Sequence, residues 1–275
     1  MIIASCRKYF DSNRFLAADL RYRDVSAAAD APDLTLAGLR TRARNRHVCI
    51  LVHGYGNPLP DVVAAYAELH AGMKAAGVVG PANYGLVVGF TWPGWRGPAF
   101  PIARAAANKA GRHLRQLVER LRPAALSIDV QTHSLGARVA LAALTPPGGI
   151  FVDNLLLAAP AVDRTLLESG REFHAALDAC NRCFVYHSRR DAVLRKFYPL
   201  GDAADGIVHA LGLNGPRRPA VAFRQHSNLY VVDCTACVPN HGAYRQAAPW
   251  HAHWARVLSG APLPRAEALK PDAAA

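Results

Sequence analysis

Val130-Gln131-Thr132-His133-Ser134-Leu135-Gly136-Ala137 is the stretch whose reading decides the fold. Residues 124–130 are an apolar run that reads as a strand, and residues 138–144 (Arg-Val-Ala-Leu-Ala-Ala-Leu) read as a helix. A serine at such a strand-to-helix turn is a nucleophile elbow: the sharp turn lifts the hydroxyl clear of the sheet. It also leaves the Leu135 N–H at a helix N-terminus, where it can stabilise negative charge. The usual pattern has glycine two residues either side of the serine, because strand and helix pass closely there. Here Gly136 fills the second place and Thr132 the first, so a β-branched residue has to fit a crowded spot. An ordinary strand-to-helix turn that happens to contain His-Ser-Leu-Gly is the competing reading.

The rest of the chain sets bounds on that reading. A length of 275 residues suffices for one large domain with a substantial core. At 51% hydrophobic and 19% charged, the composition is globular, and no apolar run approaches the length of a membrane-spanning helix. The formal charge of +12 reads first as an arginine-rich bias spread over a solvated surface, with at most a modest preference for acidic substrates or anionic lipid. Its basic clusters are short and lack interleaved aromatics, which argues against a nucleic-acid partner. Six cysteines include the pairs Cys180/Cys183 and Cys234/Cys237. The first pair opens one strand and the second closes another, so in a parallel sheet they stand at opposite ends. A shared tetrahedral zinc site is therefore not expected, and no metal is assigned. Free thiols fit a reducing compartment, and the opening Met1-Ile-Ile-Ala-Ser-Cys6 is too short for a signal peptide, so a cytoplasmic location is expected.

Residues 1–25 read as an edge hairpin, and residues 34–46 as a basic helix. His47-Val-Cys-Ile-Leu-Val52 has the branched apolar character of a buried parallel strand and runs into the breaker-rich loop His53-Gly54-Tyr55-Gly56-Asn57-Pro58. Helical spacing follows over 59–77, a strand over 84–90, a loop holding Trp92 and Trp95, and a long helix over 102–121. After the elbow come a strand at 151–158, a helix around 166–179 and a strand at 183–187. The Gly- and Pro-rich segment 194–219 is a candidate lid or insertion. A last strand within 221–233 and a closing helix over 244–258 complete a single domain spanning 1–262, and residues 263–275 read as a flexible tail. Alternating strands and helices imply a mainly parallel sheet of about eight strands, covered on both faces. Functional loops in such sheets gather at the carboxyl ends of the strands.

A serine hydroxyl needs a positioned imidazole to take its proton, and the imidazole needs a carboxylate to fix its tautomer. Asp191, just after the strand ending at His187, suits the acid. Asp163, one strand earlier, is the alternative, although its position before Arg164-Thr-Leu-Leu167 also suits a helix cap. For the base, position selects His241 in the loop after the last strand. His226 lies at the wrong end, and His251 and His253 fall inside the closing helix. His53 and His133 are assigned supporting hydrogen bonds. The loop after Val52 should supply the second oxyanion donor, the Tyr55 N–H, beside that of Leu135. Trp92, Trp95 and Phe100 are candidates for an acyl pocket, with plain core packing as the rival.

Taken together, Val52-His-Gly-Tyr-Gly-Asn57, Phe90-Thr-Trp-Pro93, His133-Ser-Leu-Gly-Ala-Arg138, Leu157-Ala-Ala-Pro-Ala-Val-Asp163 and Val185-Tyr-His-Ser-Arg-Arg-Asp191 resemble a bacterial α/β-hydrolase family of uncharacterised function within the serine-hydrolase superfamily. The resemblance covers roughly residues 47–200 and then His241. It implies the α/β-hydrolase fold, with Ser134 as nucleophile, Asp191 as acid and His241 as base. The expected activity is cleavage of a small-molecule carboxylic ester or thioester, with no cofactor required. Acyl transfer to an alcohol or amine, and a non-catalytic binding protein on the same fold, are the alternatives.

Overall fold

The computed structural model describes residues 1–11, 13–27, 32–94, 100–146, 151–198 and 209–271. The chain runs β1 (Ile2–Arg7), β2 (Leu16–Asp24), α1 (Leu36–Ala43), β3 (His47–Val52), α2 (Leu59–Ala75), β4 (Tyr84–Thr91) and α3 (Phe100–Leu121). It continues β5 (Ser127–His133), α4 (Gly136–Leu144), β6 (Val152–Ala158), β7 (Cys180–His187), α5 (Ala192–Lys196), α6 (Leu211–Asn214), α7 (Pro219–Gln225), β8 (Leu229–Asp233), α8 (Ala248–Leu258) and β9 (Ala266–Ala268). One nine-stranded sheet has the order β2-β1-β4-β3-β5-β6-β7-β8-β9, parallel throughout except for the antiparallel edge pair β1–β2. This is the α/β-hydrolase fold, one strand wider than expected.

Strands buried on both faces read as continuous apolar runs, and β3 does so, with Val48 to Val52 all buried. Helix α3 buries Ala103, Ala107, Ala110, Leu114, Leu117, Val118 and Leu121, the three-and-four spacing of one helical face. It packs on α4 at Gly111, where an added Cβ would stand 2.9 Å from the Ala142 Cβ. Helix α2 meets α8 through Gly72, against the His251 ring. Under α8, the buried carboxylate of Asp129 accepts from the Asn154 N–H, the Asn154 amide and the Tyr84 hydroxyl, and that hydroxyl accepts from Trp254 Nε1.

The structure departs from the sequence expectations in several places. The segment 166–179 is a set of turns and a 3-10 helix (His174–Ala179), because Gly170 at φ +76° breaks any continuous helix. Residues 219–225 are helical, started by Pro219 in the first turn, so β8 begins only at Leu229. The expected tail is anchored: β9 pairs with β8, Leu269 donates its N–H to Asp233 O, and its side chain is buried. Of the candidate lid 194–219, residues 194–198 continue from α5 and residues 209–219 surround α6, and 199–208 lie outside the described residues. The two cysteine pairs do flank opposite ends of the strands, since Cys183 pairs with Leu229 and Cys234 follows β8.

Removing the Tyr84 hydroxyl (Y84F) strips Asp129 of a donor and Trp254 Nε1 of its acceptor, both buried. The expected loss is about 2–4 kcal/mol of unfolding free energy, read from urea denaturation.

Candidate active site

β5 ends at His133 and α4 begins at Gly136, so the chain must reverse within two residues. It does so with Ser134 at φ +56°, a left-handed conformation that costs a non-glycine residue roughly 1–3 kcal/mol and persists only where its surroundings enforce it. They do: the Ser134 N–H donates to Ala158 O at 3.0 Å, while Ser134 O accepts from Ala137 and Ala161 at 3.1 Å each. Gly136 is obligatory, because a Cβ there would lie 2.6 Å from the carbonyl oxygens of both Val52 and His53. Thr132 fits in place of the customary glycine: it is fully buried within β5, and its hydroxyl reaches Leu156 O at 3.5 Å. Gly54 brings the loop after β3 against the serine, its own Cβ position being 2.8 Å from Ser134 Cβ. Among the described residues no acceptor meets the Leu135 N–H.

Asp191 caps α5, taking the Leu194 N–H on Oδ1 at 2.9 Å. Its other oxygen, Oδ2, accepts from Nδ1 of His241 at 2.6 Å, and the carboxylate is wholly buried. Asp163 stands apart from this pair: its Oδ1 accepts from the N–H and the hydroxyl of Thr165, at 2.6 Å each, closing a local turn. His241 is held from two further directions. His133 Nε2–H donates to the His241 carbonyl at 2.8 Å, with the two rings 4.6 Å apart, and Ser188 Oγ donates to Val238 O at 2.7 Å. The Asp191 bond makes Nε2 the free ring nitrogen of His241, and Ser134 and His241 line the same cavity.

That cavity has a volume of about 220 Å³. Its apolar wall is Val52, Val62, Ala65, Leu69 and Trp250, while Gln131, Tyr244 and Arg245 contribute polar groups. Trp92 is not part of it. Its indole is fully buried, stacks on His53 at 5.5 Å and donates to His53 O at 2.9 Å, so Trp92 is a core residue. Phe100 packs edge-on against Tyr55 and Tyr198, also away from this cavity, and Trp95 lies outside the described residues. The helix α2 wall and Arg245 escaped the sequence reading, because nothing in an amphipathic pattern says which buried face borders an empty space.

Both supporting histidines are neutral at ordinary pH. Burial, then the nearby Arg7 charge, pushes His53 down to about 3; burial and His241 do the same to His133, also to about 3. His53 then carries its proton on Nδ1, donating to Gly54 O at 2.8 Å, so that Nε2 accepts from the Trp92 N–H at 3.2 Å. Among the described residues no cluster of His, Cys, Asp and Glu is arranged to hold a metal ion, and no helix is long and apolar enough to cross a membrane.

A strained serine at the carboxyl edge of a parallel sheet and a carboxylate-bound imidazole from a later loop line one cavity of this α/β-hydrolase fold. The chain belongs to the family described as alpha/beta hydrolase of unknown function (DUF900), whose model matches residues 31–205. That span contains Ser134 and Asp191 and ends before His241. The curated proteins contain no match. Among solved structures, the chain is similar to a Xanthomonas campestris pv. campestris protein assigned to the alpha/beta hydrolase superfamily (15% identity, TM-score 0.45, covering 79% of this chain and 100% of that one). It is also similar to the Pyrococcus furiosus esterase Pf2001 (14%, TM-score 0.44, 79% and 83%). A third is the propionate-bound Thermogutta terrifontis esterase Est2 (15%, TM-score 0.43, 84% and 85%).

The buried neutral histidines give stability a pH dependence of definite sign. Unfolded, each titrates near 6.5, so the unfolded chain binds more protons below that value. Their contribution is complete above about pH 6.5 and is lost as pH falls toward 3, by roughly 1.4 kcal/mol per pH unit for each histidine. The urea midpoint should hold between pH 7 and 8 and drop steadily below 6.5, and His133→Gln should reduce the slope by one proton's share.

Proposed function

We propose that this protein is a serine hydrolase that cleaves a small-molecule carboxylic ester or thioester through an acyl-enzyme on Ser134. The observation that carries this reading is the 2.6 Å Asp191–His241 pair opening onto the same cavity as Ser134. His241 Nε2 takes the Ser134 proton as Oγ attacks the carbonyl, and Asp191 holds the imidazole's tautomer and stabilises its charged form. The oxyanion is received by the N–H groups of Leu135 and Tyr55. His241 then protonates the departing alcohol or thiol, the acyl group staying on Ser134. In the second half a water gives its proton to His241, attacks the acyl carbon and restores the serine.

The cavity bears on the substrate. At about 220 Å³ it holds the volume of roughly seven waters, which suits a short acyl chain rather than a long one. The family assignment supports hydrolysis in general, and the choice of an ester or thioester is the proposal's own.

A fluorophosphonate probe should label the wild-type protein and fail to label Ser134→Ala. Asp191→Asn should lower kcat by roughly 10³–10⁴-fold, the cost of losing the correct imidazole tautomer, while Asp163→Asn should stay within about threefold. The reverse order would make Asp163 the acid. Among p-nitrophenyl esters, kcat/KM should be highest between acetate and hexanoate and should fall at decanoate; a preference for decanoate would remove the cavity from the acyl site.

A further inference from the structure

Strand β1 ends in a residue that its apolar run does not foreshadow. Arg7 is completely buried. Its Nη2 donates to Asn57 O at 2.9 Å and lies 3.3 Å from His53 Nε2, while Nε and Nη1, also buried, have no hydrogen-bond partner among the described residues. No carboxylate among the described residues pairs with it. Burial lowers its pKa to about 10, so the guanidinium stays charged at neutral pH. An ion in this position costs several kcal/mol of lost hydration, and a salt bridge or a full set of hydrogen bonds normally offsets that cost. Here neither does.

What Arg7 does touch is the loop beside the serine. Residues 53 and 57 bracket Gly54 and Tyr55, and a single guanidinium nitrogen meets both ends. Because His53 is protonated on Nδ1, its Nε2 is an acceptor that can take both the Arg7 and the Trp92 hydrogens. Gly56 donates to Gly94 O at 3.1 Å, which fixes the middle of the loop. The Gly54 backbone in turn lies against Ser134.

We propose that Arg7 is a positioning residue for the oxyanion: its guanidinium fixes the His53–Asn57 loop and places behind it a buried positive charge, which no carboxylate among the described residues contacts directly and which the negative charge developing on the substrate carbonyl balances. Such a charge contributes more in the reacting state than in the resting one, which is the condition for raising turnover rather than binding. The cost of burying it falls on the stability of the resting protein.

This inference rests on the Ser134 hydrolase reading, and the experiment separates the two. If wild-type protein neither labels with fluorophosphonate nor cleaves p-nitrophenyl butyrate, the hydrolase reading fails first. Given an active wild type, Arg7→Met should lower kcat by roughly ten- to hundredfold with KM within about twofold. It should weaken inhibition by an alkylboronic acid, which forms an anionic tetrahedral adduct on the serine, by the same factor. The pH at which the His241 limb of the kcat/KM profile bends should stay in place, because Arg7 contacts His53 and not His241. Arg7→Lys, which keeps the charge, should recover part of the loss. Arg7→Met should also melt at or above the wild-type temperature. An Arg7→Met protein that is unfolded, or melts well below wild type, would make Arg7 a structural residue and overturn the proposal. So would one with unchanged kcat and boronate affinity, or one in which KM alone rises.

Discussion

No side chain can stand between the start of α4 and the end of β3. The Cβ position of Gly136 falls 2.6 Å from two carbonyl oxygens at the β3 terminus, and that of Gly54 falls 2.8 Å from Ser134 Cβ. These two contacts press the serine turn against the loop that follows β3. The left-handed backbone at Ser134 is then imposed from three sides by hydrogen bonds from β6, from α4 and from the loop after β6. The backbone of Ser134 is therefore held in place by its neighbours alone, and on the proposed reading such pre-ordering avoids part of the cost of reaction.

The remaining chemistry comes from loops at the same edge because parallel strands all end there. Asp191 does two things at once: one oxygen caps α5 while the other orients His241. Its carboxylate is held by a helix terminus, and the imidazole is held in turn. His133, the residue before the serine, reaches across to the backbone of His241. Ser134 and His241 are thus linked through the main chain as well as through the cavity they share.

Much of this was legible in the residues. Period and composition marked the buried strands, and breaker-rich loops marked their carboxyl ends. Parallel order puts the loops that carry Ser134, Asp191 and His241 at one rim; Asp191 meets His241 at 2.6 Å, and Ser134 and His241 line one cavity. The failures have physical causes. Leu166 to Ala179 has helical apolar spacing, but Gly170 at positive φ and the turn at Asp163 break the chain into short pieces. Trp92 and Phe100 looked like pocket residues because aromatics near a rim often are, yet Trp92 stacks on His53 and Phe100 packs edge-on against Tyr55. The wall formed by Val62, Ala65 and Leu69 was read as an ordinary helix face, since periodicity reports burial and is silent about empty space. Arg7 went unremarked because a strand-end arginine is usually solvated.

The three residues of β9 have a bearing beyond their size. Without them β8, the strand that leads into the His241 loop, would be an outermost strand with open backbone groups available to another chain. β9 occupies that position, and Glu267 anchors it to Arg256 of α8 at 2.6 Å. A protein shortened before residue 266 would carry an adhesive margin next to the loop that holds His241, so self-association rather than unfolding would be the first symptom of the loss.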